Sequence, residues 1–564
     1  MSFRSAVRSV IRGKKSQLEA RRLYSISHEV SSPVEDIKLP NLFLHEYVLN
    51  DIHKWHDKIA AECINSKRKY TYEEINRKSD SLAGFLQKCG IRKGDVVAVV
   101  LPNVPEYLIS LLGISKSGST VTTINPIYTS DEIQRQLVNS GTKLVITMTT
   151  LHPIVKDATD NVPNSNISIV TINHNESDST PEGCVNFFEV CELNLEVKDP
   201  NLSLDDVVIL PYSSGTTGLP KGVKITHRNL VSNIAQSNTQ GLRYNTETTG
   251  NNQDIIPLVL PLFHIYGLSS IGFTKLSRGC KLVTVPKFNT DSFSKLLHQC
   301  SPNLLFAVPP MVLMLLNNPQ LQLEKVSSLR SIISGAAPLG SEDICRLKEK
   351  TGGKVNLMQM YGLTECSPVT HKQSTDLKNG IKVGGSGFLL PNTKAKIVKI
   401  DDRDCVGLGP NESGELLIKG PQVMAGYLNN PEADKGIFVE GGWMRTGDIA
   451  NYDEDNHFFI TDRLKELIKV KGFQVAPAEL EELLRGHPTV QDAAVIGIPD
   501  EKHGESPKAF VVLKKGSNTS AEDISKYVAE KVVNYKQLTG GVVFLESIPK
   551  TASGKILRKD LRNY

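Results

Sequence analysis

The chain has few features that would tie it to metal, membrane or nucleic acid. Its nine cysteines are scattered over 564 residues, and no two form a C-x-x-C pair. That excludes a zinc ribbon and a disulfide framework, and implies mostly buried free thiols. His53 and His56 are the closest histidine pair and read as surface residues rather than metal ligands. No apolar run reaches the ~18 residues of a membrane span. The best run, Val96 to Ile114, is broken by Pro102, Asn103, Pro105 and Glu106. The net charge is only +4, which does not argue for nucleic acid. The C-terminal Leu561-Arg562-Asn563-Tyr564 is not the peroxisomal S-K-L address. What remains, 39% hydrophobic and 22% charged residues, suits a globular protein of several domains.

The first 24 residues differ from the rest. They carry seven Lys and Arg residues against one acid, Glu19. Arg4, Arg8 and Arg12 recur every four residues beside Phe3, Val7 and Ile11, the pattern of a basic amphipathic helix. An Arg-rich, acid-poor segment of this kind predicts a mitochondrial transit peptide, with Arg22-Leu23-Tyr24-Ser25 as the cleavage context. The competing reading is a basic tail with a cytoplasmic protein behind it.

From about residue 70, helical and strand patterns alternate. Thr71 to Lys88 precedes the strand Val96 to Val100, Glu106 to Ser117 precedes Thr120 to Thr122, and Ser130 to Asn139 precedes Lys143 to Ile146. This rhythm predicts layered α/β sheets and returns from Asp254 to Ile333. Between about 394 and 460 it gives way to short strands and turns, a β-rich subdomain. The expected organisation is a large N-terminal domain over 25–462 and a small, mobile α+β C-terminal domain over 463–564.

Pro211 to Gly222, PYSSGTTGLPKG, looks like a phosphate cradle. It is not a P-loop. With Gly215 as the first glycine, Lys221 falls correctly, but Pro220 replaces the second glycine and Gly222 the magnesium hydroxyl. A flexible Ser/Gly linker is the plain alternative. The flanks argue against it: Val207 to Leu210 reads as a buried strand, and Thr226 as the N-cap of a following helix. A Gly/Ser/Thr turn between strand and helix offers N–H groups and hydroxyls to an anion.

Four further stretches carry chemistry. In Leu357 to Glu365, Thr364 suits a phosphate oxygen and Glu365 suits magnesium. In Trp443 to Asp448, Asp448 follows a glycine turn and suits ribose hydroxyls. In Asp462 to Val475, Ile468 and Val470 alternate with Lys469 and Lys471, so the lysines share one strand face. A solvated edge strand would show the same alternation. Ile548 to Lys555 is a turn-rich loop that offers Lys555 outside its own domain.

In this order the five stretches resemble the adenylate-forming enzymes, over about residues 45 to 562. FHIYGL from Phe263, SGAAPLG from Ser334, KGFQVAPAELE from Lys471 and SGKILRKDL from Ser553 look most like 4-coumarate–CoA ligases and animal proteins like them. The resemblance implies an ATP-dependent acid–CoA ligase using ATP, Mg2+ and CoA. It implies that Ser213, Ser214, Gly215, Thr216, Thr217 and Lys221 grip the phosphates, that Thr364, Asp448 and Arg463 hold the nucleotide, and that Glu365 supports magnesium. Gln359 and Gly362 line the adenine and acyl site. His264, Tyr266, Gly335, Ala337, Pro368 and Val369 match acyl-side positions. The resemblance implies that Lys555 serves adenylation, and that Lys469 and Gln474, with Lys471, Gly472 and Lys287 for CoA, serve thioester formation after rotation about Lys465. Met360 stands where plant enzymes usually have glycine, and Gly267 where many have alanine. Both bear on the acyl side, so an aromatic acid and a medium-chain or branched fatty acid both stay open. A luciferase-like monooxygenase, a carrier-protein acylating enzyme and a non-catalytic binding descendant are the alternative readings.

Overall fold

The alternating segments of the N-terminal domain build a seven-stranded sheet. The computed structural model describes residues 28–164, 166–174, 178–213, 220–400, 402–470, 473–500, 503–551 and 554–564. Residues 1–24, the expected transit segment, lie outside them. The sheet order is Ile225–Thr226, Val207–Ile209, Thr120–Thr123, Val96–Val100, Thr142–Met148, Ser168–Ile172 and Val185–Asn186. Every neighbouring pair is parallel except the first. Parallel strands are covered on both faces, which is why the central strand is a continuous apolar run rather than an alternating one.

Local signals start the covering helices. The Thr71 hydroxyl accepts from the Glu74 N–H while the Glu74 carboxylate accepts from the Thr71 N–H, opening helix Tyr72–Lys88. Thr129 and Glu132 repeat the device for Ser130–Ser140. Thr226 caps His227–Ser237, as its position in the sequence predicts. Helix Glu106–Ser117 is buried on every side, and its charged residues are met by partners, Glu106 by Arg68 and Lys116 by Asp80.

Two smaller sheets follow. One has the order Ile255–Leu258, Lys281–Thr284, Ile59–Cys63 and Lys69–Thr71. The other runs Leu304–Ala307, Ser331–Ser334, Asn356–Gly362, Val369–Lys372 and Phe388–Leu389, its first three strands parallel. Asn303 stitches them together: its N–H donates to the Ile255 carbonyl and its Oδ1 accepts from the Ile255 N–H. The β-rich region is an antiparallel sheet of Val30–Ser31, Lys394–Val398, Gly414–Lys419, Trp443–Tyr452 and Phe438–Val439, with Phe458–Arg463 beside Trp443–Tyr452.

After the turn Leu464–Glu466 comes a second unit. Its sheet runs Phe473–Val475, Ile468–Val470, Gly504–Leu513 and Val490–Asp500, with Val542–Phe544 beside Gly504–Leu513. Helices Pro477–Arg485 and Ala521–Ala529 seal its core, in which Leu480, Leu484, Ile524 and Val528 meet Ile468, Val495 and Val511. That core is separate from the large one of the N-terminal domain.

Candidate active site

A cavity of about 460 Å³ opens where three parallel strands end. Pro309 and Pro310 follow Leu304–Ala307, Gly335 to Gly340 follow Ser331–Ser334, and Tyr361 to Thr364 end Asn356–Gly362. Carboxyl ends of parallel strands are where α/β sheets hold ligands. The C-terminal unit closes the other side with Ala478, Glu481, Lys555 and Arg558.

Asp448 and Arg463 face each other across adjacent antiparallel strands. The Arg463 Nε lies 3.3 Å from one Asp448 oxygen, and the Tyr361 hydroxyl donates to the other at 2.5 Å. Burial raises the Asp448 carboxyl above its ordinary value, while Arg463, the Tyr361 hydroxyl and Lys555 oppose the rise. An acceptor fixed from both sides suits a diol.

Lys555 lies in the cavity on a tight turn. The Thr551 N–H donates to the Lys555 carbonyl at 2.8 Å and the Lys555 N–H to the Thr551 hydroxyl at 3.1 Å. Gly554 has φ +81°, and a Cβ there would stand 3.1 Å from Pro310 and Val308 of the N-terminal domain. Glycine therefore lets the loop come close enough to insert its lysine. Burial, then the Arg463 guanidinium, lowers the Lys555 ammonium from its ordinary value, and Asp448, Glu365 and Glu466 pull it back up. His264 is held at about 3, first by burial and then by the Lys555 charge, so its ring is neutral.

Ser213 and Lys221 are partners in the antiparallel hairpin that closes the Gly/Ser/Thr loop. Ser214, Gly215, Thr216 and Thr217 lie outside the described residues. The Ser213 hydroxyl is buried without a hydrogen-bond partner among the described residues, as a group awaiting a ligand would be. The Lys221 ammonium stands 5.0 Å from the Tyr427 ring, whose hydroxyl donates to Glu365 at 2.9 Å. The loop lysine and the candidate magnesium carboxylate thus share one tyrosine. Among the described residues no three His, Cys, Asp or Glu side chains cluster to form a metal cage. One hard carboxylate fits magnesium that is otherwise bound through phosphate oxygens and water.

His264, Tyr266, Gly335, Ala337, Gly362, Pro368 and Val369 all line the cavity, as do Gln359 and Thr364. Gly362 is there for space: a Cβ would meet the Pro368 carbonyl oxygen at 2.2 Å. A Cβ on Gly335 would touch the Tyr266 ring at 3.2 Å. The Tyr266 hydroxyl is anchored on the Ile333 carbonyl at 3.2 Å, which fixes the ring as a wall. Gln359 braces the turn before Gly340, accepting from the Leu339 N–H and donating to the Gly385 carbonyl.

The other expected residues lie elsewhere. Lys469 and Gln474 pair across the hairpin Ile468–Val475 and are exposed, outside the cavity lining. Lys287 is exposed and outside the cavity lining, and Lys465 sits in the turn Leu464–Glu466. Lys471 and Gly472 lie outside the described residues. Tyr361 and Tyr427 are functional candidates that sequence patterns did not bring out. So is Asn233, which holds the Val369 backbone by both its amide atoms.

Residues 49–428 match the family model of the AMP-binding enzyme, and residues 479–555 that of the AMP-binding enzyme C-terminal domain. 4-Coumarate–CoA ligase 1 of Arabidopsis thaliana is 42% identical over 541 residues, 94% of each chain. Among solved structures, the anthranilate CoA ligase AuaEII with anthranoyl-AMP has a TM-score of 0.82 at 26% identity, over 93% of this chain and 98% of that one. ATP-bound MatB from Rhodopseudomonas palustris gives 0.81 at 26% identity, over 92% and 98%. Apo MatB, over the same shares and at the same identity, gives 0.72.

Proposed function

The chain belongs to the AMP-binding enzyme family, and from that premise we propose that opposite faces of its C-terminal unit serve two successive half-reactions in one cavity. It is an ATP-dependent acid–CoA ligase that forms an acyl-adenylate and then a thioester. A carboxylate is a poor acyl donor because its leaving group would be oxide. In the first step a carboxylate oxygen bonds to the α-phosphorus of ATP and the bond to pyrophosphate breaks. In the second, the CoA sulfur bonds to the acyl carbon and AMP departs.

The observation that carries the two-face reading is the position of two lysines of one unit. Lys555 is inside the cavity with Asp448 and Glu365 in electrostatic reach, while Lys469 and Gln474 are exposed outside it. This arrangement suits adenylation, where an anionic acid meets a polyanion and positive charge must be in place beforehand. Lys221 and the loop from Ser213 to Thr217 hold phosphates, Asp448 the ribose, and Thr364 a phosphate oxygen. Glu365 holds magnesium, which supplies further positive charge on the phosphates when bound. Neutral His264 borders the reacting carboxylate. Rotation about Lys465 then removes Lys555 and brings in Lys469 and Gln474, with Lys471, Gly472 and Lys287 toward CoA. Lys465 lies in the turn Leu464–Glu466, which follows the strand Phe458–Arg463, and this supports its use as the hinge.

Relatives named 4-coumarate–CoA ligase favour an aromatic acid; Met360 in the cavity wall favours an aliphatic one. Among the described residues no helix is long and apolar enough to cross a membrane. The basic segment 1–24 supports a mitochondrial address, and with it a place in fatty-acid metabolism. Removal of these residues should abolish import of a fluorescent fusion into mitochondria; unchanged import would refute the address. Acid-dependent pyrophosphate release, with and without CoA, across hydroxycinnamic, benzoic and fatty acids tests the ligase reading. Release with one acid class and a matching acyl-CoA by mass is expected. No release from folded, ATP-binding protein would contradict it.

A further inference from the structure

Beyond the acyl side of the cavity lies a second chamber of about 10 Å³, room for one water-sized atom. Met360 and Val369 line both spaces, so the Met360 side chain forms part of the partition. The rest of the chamber is unusual for the end of an apolar tunnel. Lys275 and Lys372, 1% and 3% exposed, both reach it, together with Ser270, Tyr244 and Phe306.

Among the described residues neither lysine forms an ion pair with a carboxylate, although the Asp254 charge reaches Lys275. The Lys372 ammonium donates to the Ser237 and Leu242 carbonyls at 3.2 and 2.7 Å and stands 4.0 Å from the Tyr244 ring centre. The Lys275 ammonium donates to the Asn245 side-chain oxygen at 3.1 Å and stands 5.6 Å from the Phe306 ring centre. Asp254 holds Arg330 and the Thr246 N–H on one oxygen, and its other oxygen is buried without a hydrogen-bond partner among the described residues. Ser270 adds a buried hydroxyl with no hydrogen-bond partner among the described residues.

Buried ammonium groups are costly unless paired. Carbonyl oxygens and aromatic faces meet part of that demand, but an ammonium has three donors, and two are accounted for at Lys372. A plain hydrocarbon chain needs none of this. Burial also lowers the Lys275 ammonium to about 8 and Lys372 well below its ordinary value, and an arriving anion would favour the charged form of each.

We propose that this chamber is a distal specificity subsite, in which Lys275, Lys372 and Ser270 take an oxygen of a second carboxylate at the far end of the acid. The substrates are then α,ω-dicarboxylic acids, activated at one end only. Met360, unbranched and easily rotated, swings aside to join the two spaces. The distal carboxylate remains unreacted and anionic throughout. The inference rests on the ligase reading above and narrows its substrate class.

The test uses the full chain with ATP, magnesium and CoA. Straight-chain diacids of about six to twelve carbons are compared with their monomethyl esters and with monocarboxylic acids of equal length. The best diacid should exceed its ester and the matched monoacid in kcat/KM by tenfold or more, as loss of a charged hydrogen bond implies. Lys372→Met and Ser270→Ala should each bring that ratio toward unity. The wild-type comparison stands even if a variant fails to fold. Esters and monoacids used as well as diacids at every length would overturn the proposal, as would a diacid preference unchanged in Lys372→Met. Failure of the ligase reading would look different: no acid of any class would release pyrophosphate or yield an acyl-CoA.

Discussion

The Glu482 carboxylate of the C-terminal unit accepts two hydrogen bonds from Ser341 of the N-terminal domain, from its N–H at 2.9 Å and its hydroxyl at 2.8 Å. Ser341 opens helix Ser341–Lys350, whose N-cap, Gly340, has no side chain to cap it. The cap is supplied from the other domain instead, and a negative charge at a helix N-terminus is favourable. The contact therefore helps hold the orientation in which Lys555 is inside.

Glu482→Ala should loosen that orientation. The pair is exposed, so the loss is about 1 kcal/mol. Acid-dependent ATP–pyrophosphate exchange should fall several-fold, while thiolysis of a supplied acyl-adenylate stays level or rises. Measuring both on one preparation checks it, and an equal fall in both would show that Glu482 does not set the orientation.

Tyr427→Phe should act on phosphate handling. It removes the hydroxyl that donates to Glu365 and keeps the ring beside Lys221. One neutral-to-charged hydrogen bond corresponds to about 1.5–3 kcal/mol, or roughly ten- to a hundredfold in adenylation rate. The magnesium concentration for half-maximal rate should rise. A variant with unchanged magnesium dependence would place Glu365 outside metal binding.

Asp462 predicts a pH effect on stability. Burial raises its carboxyl to about 7, against the bonds it accepts from the Ala478 and Arg463 N–H groups and the charge of Arg558. Its unfolded value is the lower, ordinary one. Between the two the folded chain binds the extra proton, so this group's contribution to stability falls as pH rises from ~4 to ~7 and stays low above that. Asp462→Asn should flatten the change in melting temperature across this window. A slope identical to wild type would assign the titration to another group.

The central strand and its helices were legible because local signals agree with the fold. Val96 to Val100 is continuously apolar, and Thr71, Thr129 and Thr226 each cap the helix they precede. The sequential part of the candidate site was legible for the same reason: Gly362 ends one strand with Thr364 and Glu365 in the turn after it, and Asp448 and Arg463 sit on a hairpin. Side chains that act over long separations were not. Tyr427 reaches Glu365 across 62 residues, and Tyr361 reaches Asp448 across 87. A tyrosine in a strand usually means packing, and only the folded chain shows where its hydroxyl points. Lys275 and Lys372 sit in no motif, and only burial in the folded chain sets them apart.

The most direct measurement is the pair of half-reaction rates in Lys555→Ala. Pyrophosphate release should fall at least ~100-fold, the scale for losing a charge contact in the transition state, while CoA thiolysis of a supplied acyl-adenylate stays near wild type. Lys469→Ala should show the reverse. Equal loss of both half-reactions in Lys555→Ala would contradict the use of two opposite faces by one cavity.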